Sequence, residues 1–351
     1  MIGRLYDVLH RATTSLLRLE GLIESLPGRS VLLAAMRVRE AQASSRIENT
    51  FASVREIALA SVDERGASSE SMEVLRNRLA IEYGLASKLP ISARLLREMH
   101  RVLIVDPGHR PGQFRDRQVC IGDQHRGFSN ARFVPPGPER VEACMTAWEF
   151  FVNPKAINAA PRARLPYLIE LAMSHYQFET IHPFSDGNGR LGRALVTLAP
   201  VKDRELRHPV CNLSEWVQAN RQEYYDGLLR VSTHGEWEPW IRFFVTALAQ
   251  QAEADLNRAT RVSSLYDKYQ KLVTTRGKSI LRIKLLDHLF DRQVVTITIA
   301  AKMMDVSYAA AQAHVIAFET MKIIKPLSDK KYGKIYVAEG VLKAIRGQGQ
   351  D

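Results

Sequence analysis

The sequence predicts a mainly α-helical protein that carries one β-hairpin among its helices and a small helical domain with a second hairpin at its C-terminal end. Two observations support this fold class. Apolar residues recur every three or four positions through most of the chain, which is the spacing of helices that pack on a core. Extended runs flanked by turn residues are confined to short stretches near 118–134 and 323–337. At 351 residues the chain exceeds the usual size of one domain, so we expect more than one.

The composition excludes several classes of protein. Hydrophobic residues make up 46% and charged residues 25% of the chain, which is typical of a globular protein and not of a disordered one. No run of about 18 apolar residues predicts a membrane span. Three cysteines without a CxxC pair favour a reduced, cytoplasmic protein. The net charge is +11, and residues 276–346 hold 13 Lys and Arg against 6 Asp and Glu, which is compatible with nucleic-acid binding but indicates it only weakly.

The N-terminal region is predicted to be a set of helices. A break at 26–29 precedes a helix at 31–43, for which Ser30 is the expected N-cap. The polar segment Ser44–Thr50, which contains the carboxylate of Glu48, is most simply a capping arrangement at a helix end. Ser92 is expected to cap the last helix of the region. The other helices indicated by periodicity are 5–25, 54–61, 72–89 and 93–104.

The next part of the chain is predicted to hold a hairpin followed by helices. Extended runs at 118–122 and 131–134 indicate either a hairpin whose edge can hold an extended peptide or a surface loop. Helices are expected at 138–151 and 163–179, and the second is apolar nearly all round and therefore buried. Ser214 is expected to cap a helix at 215–231, in which Tyr224 and Tyr225 are core residues or one of them stacks on a nucleobase.

The segment 182–193 concentrates groups that handle phosphate. Its glycines lead into a helix N-terminus, where backbone N–H groups and the helix dipole attract anions. Arg190 and Arg193 lie on one side of the first turn and can grip phosphate oxygens. Asp186 can hold a divalent cation, and His182 is placed upstream as a general base. These residues predict a triphosphate-handling site that is not a Walker A loop, because the G-x-x-x-x-G-K-[ST] pattern is absent.

Beyond this segment the sequence predicts a loop after Pro200, a long connecting helix at 237–272 and a small C-terminal domain. Lys330, Lys331 and Lys334 would form a basic wing on DNA, but alanines dominate the third helix of the domain, so a protein-interaction or dimerisation module fits at least as well. The elements typical of a winged helix-turn-helix are the predicted helices 281–290, 296–304 and 309–321 and a closing hairpin.

The segment 182–193 resembles the signature of the Fic (filamentation induced by cAMP) family, H-x-F-x-[DE]-G-N-G-R-x-x-R, at every fixed position. Segments 111–115 and 133–136 resemble those that flank the family's hairpin, called the flap. Ser44, Glu48 and Asn49 match the family's inhibitory pattern, [ST]-x-x-x-E-[GN]. The resemblance covers the whole chain. The parts that it implies are an N-terminal helical region with the inhibitory motif (1–104), a Fic core (105–235), a connecting helix (236–275) and a winged helix-turn-helix domain (276–351).

The resemblance implies transfer of AMP from ATP to a hydroxyl of a target protein or of the chain itself, with release of pyrophosphate. His182 would accept the proton of that hydroxyl, and Asp186 would bind Mg²⁺. Arg190 and Arg193 would hold the β- and γ-phosphates. The residues implied to bind ATP are Phe184, Ser185, Asp186, Gly187, Asn188, Gly189, Arg190, Arg193, Tyr224, Tyr225 and Ser232.

The same resemblance gives Glu48 a role. Its carboxylate, docked on Arg193, would occupy the cation that the γ-phosphate needs, and ATP would bind only in a non-productive pose. Ser44 and Asn49 would fix the helix end that presents Glu48. The expected function is therefore that of a self-inhibited protein adenylyltransferase.

Two alternatives remain open. Fic relatives can transfer UMP, phosphocholine or phosphate, and some inhibited members remove AMP, so the site is compatible with those reactions. The second alternative is a transcription regulator with a vestigial Fic site, against which the complete set of site residues argues. The expected partners are a target protein that presents a hydroxyl and a second copy of this chain in a homodimer, which fits this architecture although no residue pattern indicates it. DNA binding has no support beyond the basic charge, and no membrane association is expected.

Overall fold

The computed structural model describes residues 2–25, 29–122, 131–153, 165–275, 279–327 and 333–346. Helices dominate this part of the chain and confirm the predicted fold class. No helix in the described ranges is long and apolar enough to cross a membrane. In chain order the helices are α1 Ile2–Ser25, α2 Arg29–Ile47, α3 Val54–Ala60, α4 Ser69–Ala86, α5 Ala93–Leu103, α6 Pro138–Val152, α7 Tyr167–Ile181, α8 Asn188–Lys202, α9 Ser214–Ala219, α10 Arg221–His234, α11 Trp237–Thr274, α12 Ile280–Arg292, α13 Ile297–Met304, α14 Tyr308–Thr320 and α15 Glu339–Arg346. The strands are β1 Ile121–Gly122, β2 Ala131–Phe133, β3 Val294–Thr296, β4 Lys325–Pro326 and β5 Ile335–Val337.

Side-chain caps fix several helix starts. The predicted cap at Ser92 is confirmed, since its hydroxyl accepts the Leu95 N–H at 3.2 Å. α3 begins with a capping box in which Ser53 Oγ accepts the Glu56 N–H at 3.1 Å and Glu56 accepts the Ser53 N–H at 2.6 Å. Such caps satisfy amides that have no partner within the helix itself.

Four local predictions were wrong. Ser30 lies inside α2 and not at its cap, because α2 begins at Arg29 and its buried apolar residues carry it on to Ile47. Pro200 does not end α8, which runs on to Lys202 within a run of buried residues. The helix predicted at 215–231 is two helices, since it breaks at Asn220, whose side-chain amide donates to the Trp216 carbonyl at 2.9 Å. Ser214 starts α9 without acting as its cap.

The described residues form two compact units. The first draws on 1–20, 43–50 and 76–253, and the second on 21–42, 51–75 and 254–351. Both units are discontinuous in sequence. Compact units of this kind do not establish independently folding domains, so the division at 104, 235 and 275 remains a prediction.

The first unit is organised around α7 and α8. These two helices pack against each other, α6 packs on α7, and α5 packs on both α6 and α8. The burial expected for α7 is observed, since Ile169, Ala172 and Phe178 are each 0% exposed. β1 and β2 pair antiparallel, with Ile121 opposite Phe133 and a register shift after it, which confirms the predicted hairpin. The stretch between these strands, 123–130, lies outside the described residues.

The second unit contains a three-stranded antiparallel sheet in the order β3-β5-β4. Val294 pairs with Val337 across it, and both are fully buried with Val38 and Val54 from the N-terminal part of the chain. α13 and α14 pack closely and begin at side-chain caps, Thr296 and Ser307. The winged helix-turn-helix assignment remains a prediction, and Lys330 and Lys331 lie outside the described residues.

Candidate active site

Two left-handed residues bound the loop that joins α7 to α8, residues 182–187, here called the signature loop. His182 ends α7 with a φ of +50° and donates its N–H to the Phe178 carbonyl at 3.1 Å. Gly187 begins α8 with a φ of +79°, a conformation that glycine adopts without strain. The chain therefore turns sharply at this loop. The first backbone N–H groups of α8, which have no partner within the helix, lie where the loop ends.

The imidazole of His182 is set up as a base. Its Nδ1 lies 3.2 Å from the Glu179 carbonyl oxygen, which can only accept, so Nδ1 carries the proton and Nε2 keeps its lone pair. Burial lowers the pKa of His182 to about 4, so the ring is neutral at pH 7. A neutral imidazole with an available Nε2 can accept a proton from a hydroxyl.

The signature loop is clamped by residues from α5 and α8. Asn188 accepts the Phe184 N–H at 2.9 Å and donates to the Phe184 carbonyl at 2.8 Å. The ring of His100 stacks on the Phe184 ring at 4.1 Å and accepts the Gly112 N–H on Nδ1 at 2.7 Å. Its Nε2 must then carry the proton, which it donates to the Asp186 carbonyl at 3.1 Å. Phe184 and Asn188, predicted to bind ATP, therefore shape the loop.

The segments flanking the flap also hold the loop. Arg115, which is 4% exposed, donates from Nε to the His182 carbonyl at 2.8 Å and from its guanidinium to the Pro136 carbonyl. Ser185 donates its hydroxyl to the His109 carbonyl at 2.8 Å, so this side chain also anchors the loop.

Asp186 and Arg190 contact one another. Asp186 Oδ1 accepts the Gly187 N–H at 2.6 Å, and its Oδ2 lies 3.0 Å from Arg190 Nη2. Burial opposes ionisation, but Arg190 and the Gly187 amide hold the pKa of Asp186 below its ordinary value. The carboxylate is therefore ionised, and 44% of its side chain remains exposed.

Arg193 is held by the segment that contains Ser44, Glu48 and Asn49, here called the inhibitory segment. Arg193 is 1% exposed, and its Nε donates to Ser44 Oγ at 2.9 Å. Its Nη2 donates to the Ser44 carbonyl at 3.0 Å and to Glu48 Oε1 at 2.6 Å. Burial alone would lower the pKa of Arg193, but the Glu48 carboxylate raises it above its ordinary value. Asn49 follows with a φ of +63°, and its Oδ1 accepts from Arg221 at 2.8 Å.

Side chains of the signature loop, α8 and the inhibitory segment line one open cleft of about 660 Å³. His182, Arg193 and Glu48 line it together with Gly189. A Cβ atom on Gly189 would lie 2.4 Å from Glu48 Oε1, so any other residue at this position would require the carboxylate to shift.

The far wall of the cleft comes from α10. Tyr225 lines it, with the guanidinium of Arg132 5.9 Å and that of Arg221 5.8 Å from its ring centroid. Tyr224 also borders the cleft but is 1% exposed, and its hydroxyl lies 2.8 Å from His175 Nε2. Ser232 lies at the exposed end of this wall.

Most predicted site residues thus meet at one cleft or hold its signature loop. Sequence reasoning missed His100, Arg132, Glu179 and Arg221. The sequence offered a signal for Arg132 alone, which precedes the Phe133–Pro136 segment.

A helix pair joined by a glycine-containing loop, with a neutral histidine and a buried arginine beside one cleft, is an arrangement suited to binding phosphate. Residues 90–199 match the model of the Fic/DOC family, and residues 6–86 match that of the Fic/DOC family N-terminal region. The two matches span more than half of the chain. The chain belongs to the Fic/DOC family.

Curated relatives are named for adenylyl transfer. The protein adenylyltransferase Fic of Drosophila grimshawi is 28% identical over 225 residues, which is 63% of this chain and 41% of the relative. The protein of the same name from Drosophila mojavensis is 30% identical over 179 residues, 50% of this chain and 31% of the relative. The aligned regions thus span less than half the length of these relatives.

Solved structures share the fold. A Fic family protein from Desulfovibrio desulfuricans G20 superposes with a TM-score of 0.55 at 20% identity, covering 97% of each chain. Fic-1 (residues 134–508) from C. elegans gives a TM-score of 0.53 at 24% identity, covering 74% of this chain and 73% of the other.

Proposed function

We propose that this protein is a protein adenylyltransferase that transfers AMP from ATP to hydroxyl side chains and is inhibited by Glu48. One observation carries the proposal: a neutral His182 and a buried Arg193 line the same cleft, and the Glu48 carboxylate accepts a hydrogen bond from that arginine. The family and the names of the curated relatives support adenylyl transfer over other uses of such a site.

The chain's own residues supply a base and an anion site. His182 Nε2 accepts the proton of the attacking hydroxyl as oxygen bonds to the α-phosphorus and pyrophosphate leaves. The amides at the start of α8 point toward negative charge. Arg193 holds the terminal phosphate once Glu48 has left, and this positions the α-phosphate.

Mg²⁺ is implied by the family. Within the described ranges no cluster of three or more His, Cys, Asp or Glu side chains would hold a metal alone. The ionised and partly exposed Asp186 nevertheless fits, since Mg²⁺ commonly takes one or two carboxylates and completes its shell with phosphates and water. When bound, the ion neutralises phosphate charge, and Arg190 orients the carboxylate that would hold it.

The inhibitory contact is asymmetric. Arg193 is buried, whereas 34% of the Glu48 side chain is exposed. Glu48 can therefore return to water, while Arg193 always needs an anion beside it. The γ-phosphate of ATP is an anion of suitable charge, so carboxylate and phosphate compete for one guanidinium.

The test measures incorporation of label from α-labelled ATP into the protein itself and into lysate proteins. Glu48→Gly should raise incorporation at least about tenfold, as expected when a charge-assisted hydrogen bond that blocks the site is lost. His182→Ala in the same background should reduce incorporation at least about 100-fold, since general-base catalysis contributes that much or more. Glu64→Gly and His10→Ala, which change exposed residues, are the matched controls.

Mass spectrometry of the labelled protein separates this proposal from other Fic reactions. An added AMP supports it. A mass shift of UMP, phosphocholine or phosphate, or incorporation that survives His182→Ala, would contradict it.

A further inference from the structure

Glu179, in the last turn of α7, is a buried carboxyl that the proposed mechanism does not use. It is 8% exposed and lines the cleft together with Arg193. Its Oε1 is buried without a hydrogen-bond partner among the described residues. Buried polar atoms are nearly always paired, so an orphaned carboxyl oxygen beside a buried arginine points to a partner that it acquires in another state.

Two glycines of α8 make room for two carboxyl groups. A Cβ atom on Gly189 would lie 2.4 Å from Glu48 Oε1, and one on Gly192 would lie 2.1 Å from Glu179 Oε1. Arg193 follows Gly192 directly, so the N-terminal part of α8 lies beside the carboxylate that Arg193 binds, Glu48, and beside Glu179, whose Oε1 has no hydrogen-bond partner in the part of the chain that the structure describes.

Charged and titratable groups face Glu179 from two helices, from the inhibitory segment and from the signature loop. Burial raises the pKa of Glu179 to about 7; Arg193 of α8 opposes this rise and Glu48 of the inhibitory segment adds to it. From α10, Tyr224 is close enough to couple electrostatically to Glu179. His182 Nδ1 lies 3.2 Å from the Glu179 backbone carbonyl oxygen.

We propose that Glu179 is a positioning residue for Arg193: it takes over the guanidinium when Glu48 leaves, so that opening of the inhibitory segment is coupled to loss of one proton from Glu179. With Glu48 gone and no nucleotide bound, Arg193 would be a buried cation without a partner, which is costly. Ionised Glu179 supplies the missing negative charge. This inference rests on the proposed function, which makes Arg193 the phosphate partner.

The proton balance is simple. In the closed state Glu179 keeps its proton, and Glu48 carries the negative charge beside Arg193. On opening, the Glu179 proton passes to solvent through the cleft, and on closing it returns. Opening is therefore favoured as pH rises toward about 7, because the open state binds one proton fewer, and the effect levels off above that pH, where the closed state has also lost the proton.

The first test follows self-labelling from pH 6 to pH 9 in wild type, Glu179→Gln, Glu48→Gly and the double variant. Two ratios remove the titration of His182 and of ATP: wild type over Glu48→Gly, and Glu179→Gln over the double variant. The first ratio should rise about fivefold to tenfold between pH 6 and pH 8, as one coupled proton allows. The second should stay low and flat, because the substituted side chain cannot ionise.

The second test does not need AMP transfer. An acid whose pKa is raised by folding destabilises the protein as pH rises from its unfolded pKa to its folded one, so the wild-type Tm should fall relative to Glu179→Gln between pH 5 and pH 8. Glu48→Gly removes a negative charge and leaves Arg193 to attract the carboxylate, so the same comparison in that background should show a smaller fall.

Equal pH dependence of the two labelling ratios would overturn the coupling. So would a fall in Tm of equal size with and without Glu48. Failure of Glu48→Gly to incorporate AMP would instead contradict the proposed function, and the Tm comparison would still decide the role of Glu179.

Discussion

The signature loop and the inhibitory segment both contact α8, but they are held in different ways. The loop is fixed by buried groups that bond its backbone, chiefly His100, Arg115 and Asn188. The inhibitory segment contacts α8 through the carboxylate of Glu48, whose side chain is 34% exposed. The loop residues proposed for catalysis are therefore held in place by the fold itself. Glu48, proposed to inhibit, instead binds an arginine to which another anion can bind in its place.

The largest effects are expected when the two members of the Glu48–Arg193 pair are substituted, since the comparison assigns them opposite effects on activity. Glu48→Gly should activate, whereas Arg193→Met added to it should lower AMP incorporation by about 100-fold, since a charge-assisted hydrogen bond to phosphate contributes about 1.5–3 kcal/mol. Initial rates with labelled ATP measure this, and Arg204→Met, which changes an exposed arginine, is the control. If Arg193→Met activated as Glu48→Gly does, the arginine would serve the restraint alone.

A second variant tests whether the signature loop is held in its conformation before ATP binds. His100→Ala removes a hydrogen bond to the Asp186 carbonyl and a ring stacked on Phe184. In the Glu48→Gly background it should lower kcat about tenfold, as loss of one buried hydrogen bond and its packing predicts, and change KM for ATP little. His10→Ala, which changes an exposed histidine on α1, should leave both constants unchanged. An effect on KM alone would argue against a positioning role.

The smallest effect is expected at the exposed end of the inhibitory segment. Arg221→Ala removes the hydrogen bond to Asn49, and an exposed contact of this kind contributes under about 1 kcal/mol. Labelling should rise about twofold to fivefold in wild type and not at all in Glu48→Gly. Arg230→Ala, further along α10 and also exposed, is the matched control. A gain that persists in the Glu48→Gly background would show that Arg221 acts on the cleft and not on the segment.

Contiguous features were predictable from the sequence. The residues of the signature loop are consecutive in sequence, and the cap at Ser92 is a local interaction. The apolar character of α7 predicted its burial. The same local reasoning failed where packing decided the outcome. α2 continues through Ser44 because its residues are buried, and α8 passes Pro200 for the same reason.

Roles that depend on distant partners could not be predicted. His100 precedes Asp186 by 86 positions, and nothing in the residues around it indicates that it holds the loop. Glu179 lies in the last turn of an apolar helix and resembles any polar residue near a helix end; its burial beside Gly192 emerges only when α7 and α8 pack.

Gly189 has a consequence for the genetics of this protein. Every glycine codon becomes an alanine codon by one base change, and the added methyl would overlap the space that the Glu48 carboxylate fills. The same methyl would lie 2.9 Å from Arg193 Nη1, so a single base change disturbs both the restraint and the guanidinium proposed to bind phosphate.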